Sequence, residues 1–194
     1  MKLHNISYNE WFINQKRVPD EDSEEYTEFF NFHKELSMNG CMMDGTYINP
    51  FLYWHLNAWH TEVDILDEYG RINQKYANPL LRDNEWLVTN EIDRAQKEKK
   101  GLVILGIRRL AKSVIEASYI AQGATFDENS QNVIAGLNSP DIKLITDKID
   151  KGLNFLPKAW RWQRVEDNWK NQVTLGIKTR AGERMPFSQI LIRN

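Results

Sequence analysis

The segment that most constrains this chain is Gly106-Ile107-Arg108-Arg109-Leu110-Ala111-Lys112-Ser113. It follows the pattern G-x-x-x-x-G-K-[ST] of a phosphate-binding loop, the Walker A motif, with Ala111 in place of the second glycine. That position leads into a helix, where a methyl group is tolerated at right-handed angles. Such a loop offers successive backbone N–H groups to β- and γ-phosphate oxygens at the positive end of a helix. Lys112 would add a mobile charge there, and Ser113 a hydroxyl ligand for Mg²⁺. Two guanidinium groups between the glycine and the lysine are unusual. Either Arg108 or Arg109 could stabilise charge on the γ-phosphoryl group, or could pair with a surface carboxylate instead.

The flanking patterns suit that reading. Leu102-Val103-Ile104-Leu105 is a short continuous apolar run, the composition of a strand buried on both faces in a parallel sheet. Val114, Ala117, Ser118 and Ala121 then recur at helical spacing. Asn132 to Leu137 reads as a second buried strand, and Ser139-Pro140 opens a helix with Ile142, Ile145, Ile149 and Leu153 on one face. Strand, helix, strand, helix implies a parallel α/β sheet with right-handed crossovers.

Elsewhere, Tyr26, Phe29, Phe30 and Leu36 predict a helix over 23–36 with Gly40 as its stop. Thr61, Val63 and Ile65, then Ile72, Gln74 and Tyr76, alternate around Asp67-Glu68-Tyr69-Gly70 and predict a hairpin. Asp83 is placed to cap a helix through Trp86, Leu87, Ile92 and Ala95, closing near Gly101. Val173, Leu175 and Ile177, a turn at 180–183, and Ile190-Leu191-Ile192 predict an antiparallel hairpin. The sequence stops inside that last strand, so a truncated chain is expected.

Composition narrows the class. The 194 residues, 41% hydrophobic and with seven Trp, suffice for a substantial core. Cys41 stands alone, which excludes an intrachain disulfide and points to a reducing compartment. No apolar run approaches the ~18 residues of a membrane span. The net charge of −2 offers no broad basic field for duplex DNA.

Several constellations have two readings. Tyr53, Trp54 and Trp59 would stack on adenine or fill the core, and Asn49 and Asn57 would read the base edge or serve structure. His55 and His60 are five apart, a spacing that does not share one helix or strand face, so a metal pair is not expected. Asp64, Asp67 and Glu68 border a turn where acids are common. Trp160, Trp162 and Trp169, interleaved with Lys158, Arg161, Arg164 and Lys170, suit packing with charged rims or contact with nucleic acid.

The loop and its surroundings resemble the terminase large subunits of tailed bacteriophages, whose phosphate loop is often degenerate and arginine-bearing. The resemblance extends through Gly45-Thr46-Tyr47-Ile48-Asn49-Pro50 with Tyr53 and Asn57, Asn78-Pro79-Leu80-Leu81-Arg82-Asp83, and Lys100 to Leu105. Downstream it includes Thr146-Asp147-Lys148-Ile149, Gly152-Leu153 and Leu156-Pro157, so that it covers most of residues 45–160. It implies a RecA-like P-loop ATPase with a parallel sheet and helices on both faces, with residues 1–78 leading in and 79–194 forming a partial ATPase core. It further implies binding of ATP and Mg²⁺, with the cradle formed by Gly106, Ile107, Arg108, Arg109, Leu110, Ala111, Lys112 and Ser113. Lys112, Arg108 and Arg109 would be the catalytic groups and Ser113 the metal ligand. The implied partners are double-stranded viral DNA, a portal protein, a small terminase subunit and further copies in a ring, in the host cytoplasm and without a membrane.

Two departures matter. The family's second ATPase motif, a strand ending in adjacent carboxylates, has no counterpart, since Glu183 is the only acid after residue 180. The nuclease domain is also missing. Little or no hydrolysis and no DNA cleavage are expected of this chain alone. A helicase-like or other RecA-like ATPase, and a noncatalytic interaction module whose loop binds no nucleotide, are the alternatives.

Overall fold

A computed structural model describes residues 18–43, 45–105, 112–136 and 139–193. The chain is mixed α/β and divides into two compact units, Met1–Lys112 and Ser113–Asn194.

The first unit opens with α1, Glu24–Asn39. Ser23 caps it by accepting the Tyr26 N–H at 3.2 Å, and Glu24 and Glu25 lie at its positive end. Gly40 ends it in a left-handed conformation, φ 73°, donating its N–H to Leu36 O at 2.9 Å. Only glycine suits this position twice over, because a Cβ there would sit 2.6 Å from the Ile48 carbonyl oxygen. A short antiparallel ribbon, β1 (Cys41–Met43) with β2 (Thr46–Ile48), leads into α2, Pro50–Asn57.

Helix α2 is the centre of this unit. Every residue from Phe51 through Trp59 is buried. A helix that is apolar on all sides can satisfy the hydrophobic effect only by being surrounded. Ile48, Leu52, Tyr53 and Leu56 form the cluster, and Leu36, Cys41, Met43, Leu81 and Trp86 pack against it. The helix α3, Asp83–Lys97, contributes Trp86 and hydrogen-bonds to the start of α2 through Asn90, whose Oδ1 accepts from Asn49 Nδ2 at 3.1 Å. Arg82, not Asp83, occupies the cap position, and its N–H donates to Glu85 Oε2 at 3.0 Å.

Between α2 and α3 runs the expected hairpin, β3 (Thr61–Leu66) paired with β4 (Ile72–Ala77), in register from Thr61↔Ala77 to Leu66↔Ile72. Most of it is exposed.

The segment after α3 departs from expectation. Residues 101–105 form no strand, and Val103 and Leu105 are 82% and 91% exposed. An apolar run becomes a doubly buried strand only when neighbouring strands and covering helices enclose it. Among the described residues no strand pairs with it.

The second unit contains α4 (Lys112–Phe126), β5 (Gln131–Ala135), α5 (Ser139–Asn154), a 3₁₀ turn at Lys158–Trp160, and strands β6 (Gln163–Asn168), β7 (Gln172–Lys178) and β8 (Arg184–Arg193). The sheet order is β5-β8-β7-β6. β5 and β8 run parallel, from Gln131↔Gln189 to Ala135↔Arg193, while β8–β7 and β7–β6 are antiparallel. The expected β7–β8 hairpin is therefore present. The expected parallel core sheet is not seen among the described strands, where one pair is parallel and the other pairs are antiparallel.

β5 also differs from a doubly buried strand. Ile134 is 4% exposed but Val133 is 57% exposed, the alternation of a strand with one covered face. Its only neighbour among the described strands is β8.

Small residues give α4 its close packing. Ala117, Ala121 and Ala124 are wholly buried, and the Ala124 carbonyl accepts the Ser188 hydroxyl of β8. Ile142, Ile149 and Leu153 of α5 complete the core with Val165, Val173, Leu175, Ile190 and Ile192. Gly176 allows β7 to meet β8 at an irregularity in their register, because a Cβ there would lie 2.2 Å from Met185 O.

Candidate phosphate-binding site

Gly106, Ile107, Arg108, Arg109, Leu110 and Ala111 lie outside the described residues. Lys112 and Ser113, which close the motif, are the first two residues of α4 and are half-buried. The helix runs for 15 residues and has no acidic residue in its first turn, so no carboxylate on that turn opposes an anion at its positive end. What these two residues offer fits a phosphate with its cation: an ammonium, a hydroxyl and a helix N-terminus.

The other sequence candidates resolve into structural roles. Tyr53, Trp54 and Trp59 are core residues, 1% exposed or less. Asn49 caps α2, its Oδ1 accepting the Leu52 N–H at 2.7 Å. Asn57 donates from Nδ2 to Tyr53 O at 2.9 Å. Neither asparagine is exposed to a ligand, both being fully buried.

Asp67 organises the β3–β4 turn. Its Oδ1 accepts the N–H groups of Tyr69 and Arg71 at 2.9 and 2.8 Å, and its Oδ2 accepts Arg71 Nε at 3.0 Å and Asn73 Nδ2 at 3.2 Å. The bond from the Arg71 backbone is the main reason its carboxyl titrates below the usual range. Asp64 accepts the Gln74 amide, at 3.3 Å. Among the described residues no group of three or more His, Cys, Asp or Glu side chains is arranged to hold a metal, and no helix is long and apolar enough to cross a membrane.

His55 is fully buried beside Phe51, with ring centroids 5.8 Å apart, and neither ring nitrogen has a hydrogen-bond partner among the described residues. Burial holds its pKa down at about 3. Sequence reading missed a second buried imidazole, His33, whose Nδ1 lies 2.5 Å from the Tyr53 hydroxyl. Desolvation lowers His33 to about 4 and pushes the Tyr53 phenol well up, so the two share one hydrogen bond between neutral groups. The signal was present: Tyr26, Phe30, His33 and Ser37 form one helical stripe, and all four are buried.

The Trp-rich tail divides by residue. Trp160 packs edge-on to Phe126 with centroids 5.3 Å apart. Trp162 stacks on Phe187 at 4.3 Å and donates to Thr125 O at 2.8 Å. Arg161 donates to Leu156 O, and Arg164 pairs with Asp150 at 2.6 Å while donating to Asn154 Oδ1 at 2.9 Å. These groups surround a cavity of about 200 Å³ whose cations are committed to the protein itself. Packing with charged rims describes them well.

No protein-family model matches the chain, and a search of curated proteins finds no match either.

Proposed function

We propose that this chain is the nucleotide-binding part of a RecA-like, ATP-driven DNA motor of the terminase large-subunit kind. The observation that carries the reading is the junction at α4: the motif runs directly into a 15-residue helix whose first two residues are its lysine and serine. The parallel pairing of β5 with β8 is compatible with an α/β nucleotide-binding core.

In this reading the backbone from Gly106 to Ala111 cradles the triphosphate, and the Lys112 ammonium lies against the β- and γ-phosphates. The Ser113 hydroxyl ligates Mg²⁺, which when bound neutralises charge on the phosphates. Arg108 or Arg109 meets the γ-phosphate. Hydrolysis also requires adjacent carboxylates near the metal. Glu183 does not supply them, since it lies in the β7–β8 turn, where its N–H donates to Thr179 Oγ1 at 3.1 Å. Double-stranded DNA, a portal, a small subunit and a ring of copies in the host cytoplasm belong to the same proposal for the complete motor.

Calorimetry with ATPγS and Mg²⁺ tests it. Wild type should bind, and Lys112→Ala should weaken binding at least tenfold, roughly the loss of one charge-assisted contact. Equal and negligible heats from both proteins would refute the proposal. They would favour a noncatalytic interaction module, a reading supported by the exposed apolar side chains of Val103 and Leu105.

A further inference from the structure

In the second unit a cleft of about 510 Å³ opens between the first half of α5 and the turn joining β6 to β7. Its position follows from the topology. Ser139 begins α5 shortly after β5 ends at Ala135, and Ile192, near the end of β8, lines the same cleft. The cleft therefore lies beyond the carboxyl ends of the parallel pair, where open α/β sheets hold their ligands.

Its lining has a consistent chemistry. Ile142 and Ile192, each 5% exposed, supply apolar surface together with the indole of Trp169, one face of which carries the Arg164 guanidinium 5.8 Å from its centroid, leaving the other to the cleft. Lys143 and Lys170 stand exposed on the rim, and neither ammonium has an ion-pair or hydrogen-bond partner among the described residues. That separates them from Arg161 and Arg164, which are engaged nearby in the same unit. Asp147 also lines the cleft, so its charged side chains sum to one net positive charge, two lysines less one aspartate. The Thr146 hydroxyl is committed to Lys143 O at 3.1 Å. The Asn171 side-chain amide remains as an edge donor and acceptor.

We propose that this cleft binds a nucleotide-type ligand, a flat heterocycle carrying phosphate. The ring lies against Trp169 and the two isoleucines, its edge meets the Asn171 amide, and the phosphate sits between Lys143 and Lys170. The volume falls within the range of small-molecule sites, roughly 300 to 1,000 Å³. The site uses neither Lys112 nor Ser113 and does not rest on the phosphate-loop reading. The ligand is either a free nucleotide or one nucleotide of a single strand.

Titration calorimetry of the full chain separates these sources, using AMP in one arm and a 5′-phosphorylated oligothymidylate of about eight nucleotides in the other. Wild type should bind in at least one arm. Lys143→Gln/Lys170→Gln should weaken that binding about tenfold or more. Because both lysines are exposed and have no partner among the described residues, the double variant should keep its thermal midpoint. Lys112→Ala should bind as wild type does. Saturation by AMP identifies a free nucleotide; binding of the oligonucleotide alone, weakening as salt rises, identifies a strand. The proposal is overturned if wild type binds neither ligand, if the double variant binds undiminished, or if Lys112→Ala removes the binding.

Discussion

Acidification should destabilise this chain through its buried imidazoles, and His55 offers the clearest measurement. Its folded pKa is depressed to about 3 against an ordinary value of 6.5, so between those limits the unfolded state binds the proton that the folded state excludes. The stability that the neutral ring contributes is complete above pH 6.5 and declines as pH falls. At pH 5 the deficit is 1.5 pH units at about 1.4 kcal/mol each, or about 2 kcal/mol. His33, held at about 4, contributes a similar deficit at that pH, so the pair costs about 4 kcal/mol. That is a large share of the roughly 5 to 15 kcal/mol that stabilises a typical fold. His55→Leu retains an apolar side chain beside Phe51 and removes two buried ring nitrogens without partners. Urea midpoints followed by tryptophan fluorescence at pH 7.5 and pH 5 should show the wild type losing about 4 kcal/mol and the variant about half of that. Identical losses in the two proteins would refute the assignment of the acid sensitivity to this residue.

The remaining expectations concern packing. Gly40→Ala should cost about 2 to 4 kcal/mol, combining a left-handed backbone with a Cβ pressed 2.6 Å from a backbone oxygen, and a lowered urea midpoint measures it. Ile149→Ala, at a fully buried position of α5, should cost about 2 to 5 kcal/mol, readable from the same titration.

Where the sequence is legible, the physics is local. The hairpin around Asp67 is readable because a side chain that bonds its own turn marks the bend. The helices α1, α3 and α5 show one apolar face against polar surroundings, which is what a 3.6-residue period reports. α2 escapes this reading, because a helix buried on every side has no period to detect, although Asn49-Pro50 carries its cap and first-turn signal. β6 escapes for the opposite reason: within QRVEDN only Val165 is buried. The run 102–105 misleads because composition states what a strand would require, whereas the neighbours that enclose it are set by the rest of the fold. At the candidate phosphate site, Lys112 and Ser113 at the head of α4 are legible from the motif. The cleft near Trp169 is not, because it joins a helix face to a turn distant in sequence.

The unbroken burial from Phe51 through Trp59 has a consequence for variation. Strands and surface helices give substitutions an outlet at every second or third position. Here nine neighbours in a row have none, so a saturation library should leave a solid block of near-fixed letters instead of a rhythm.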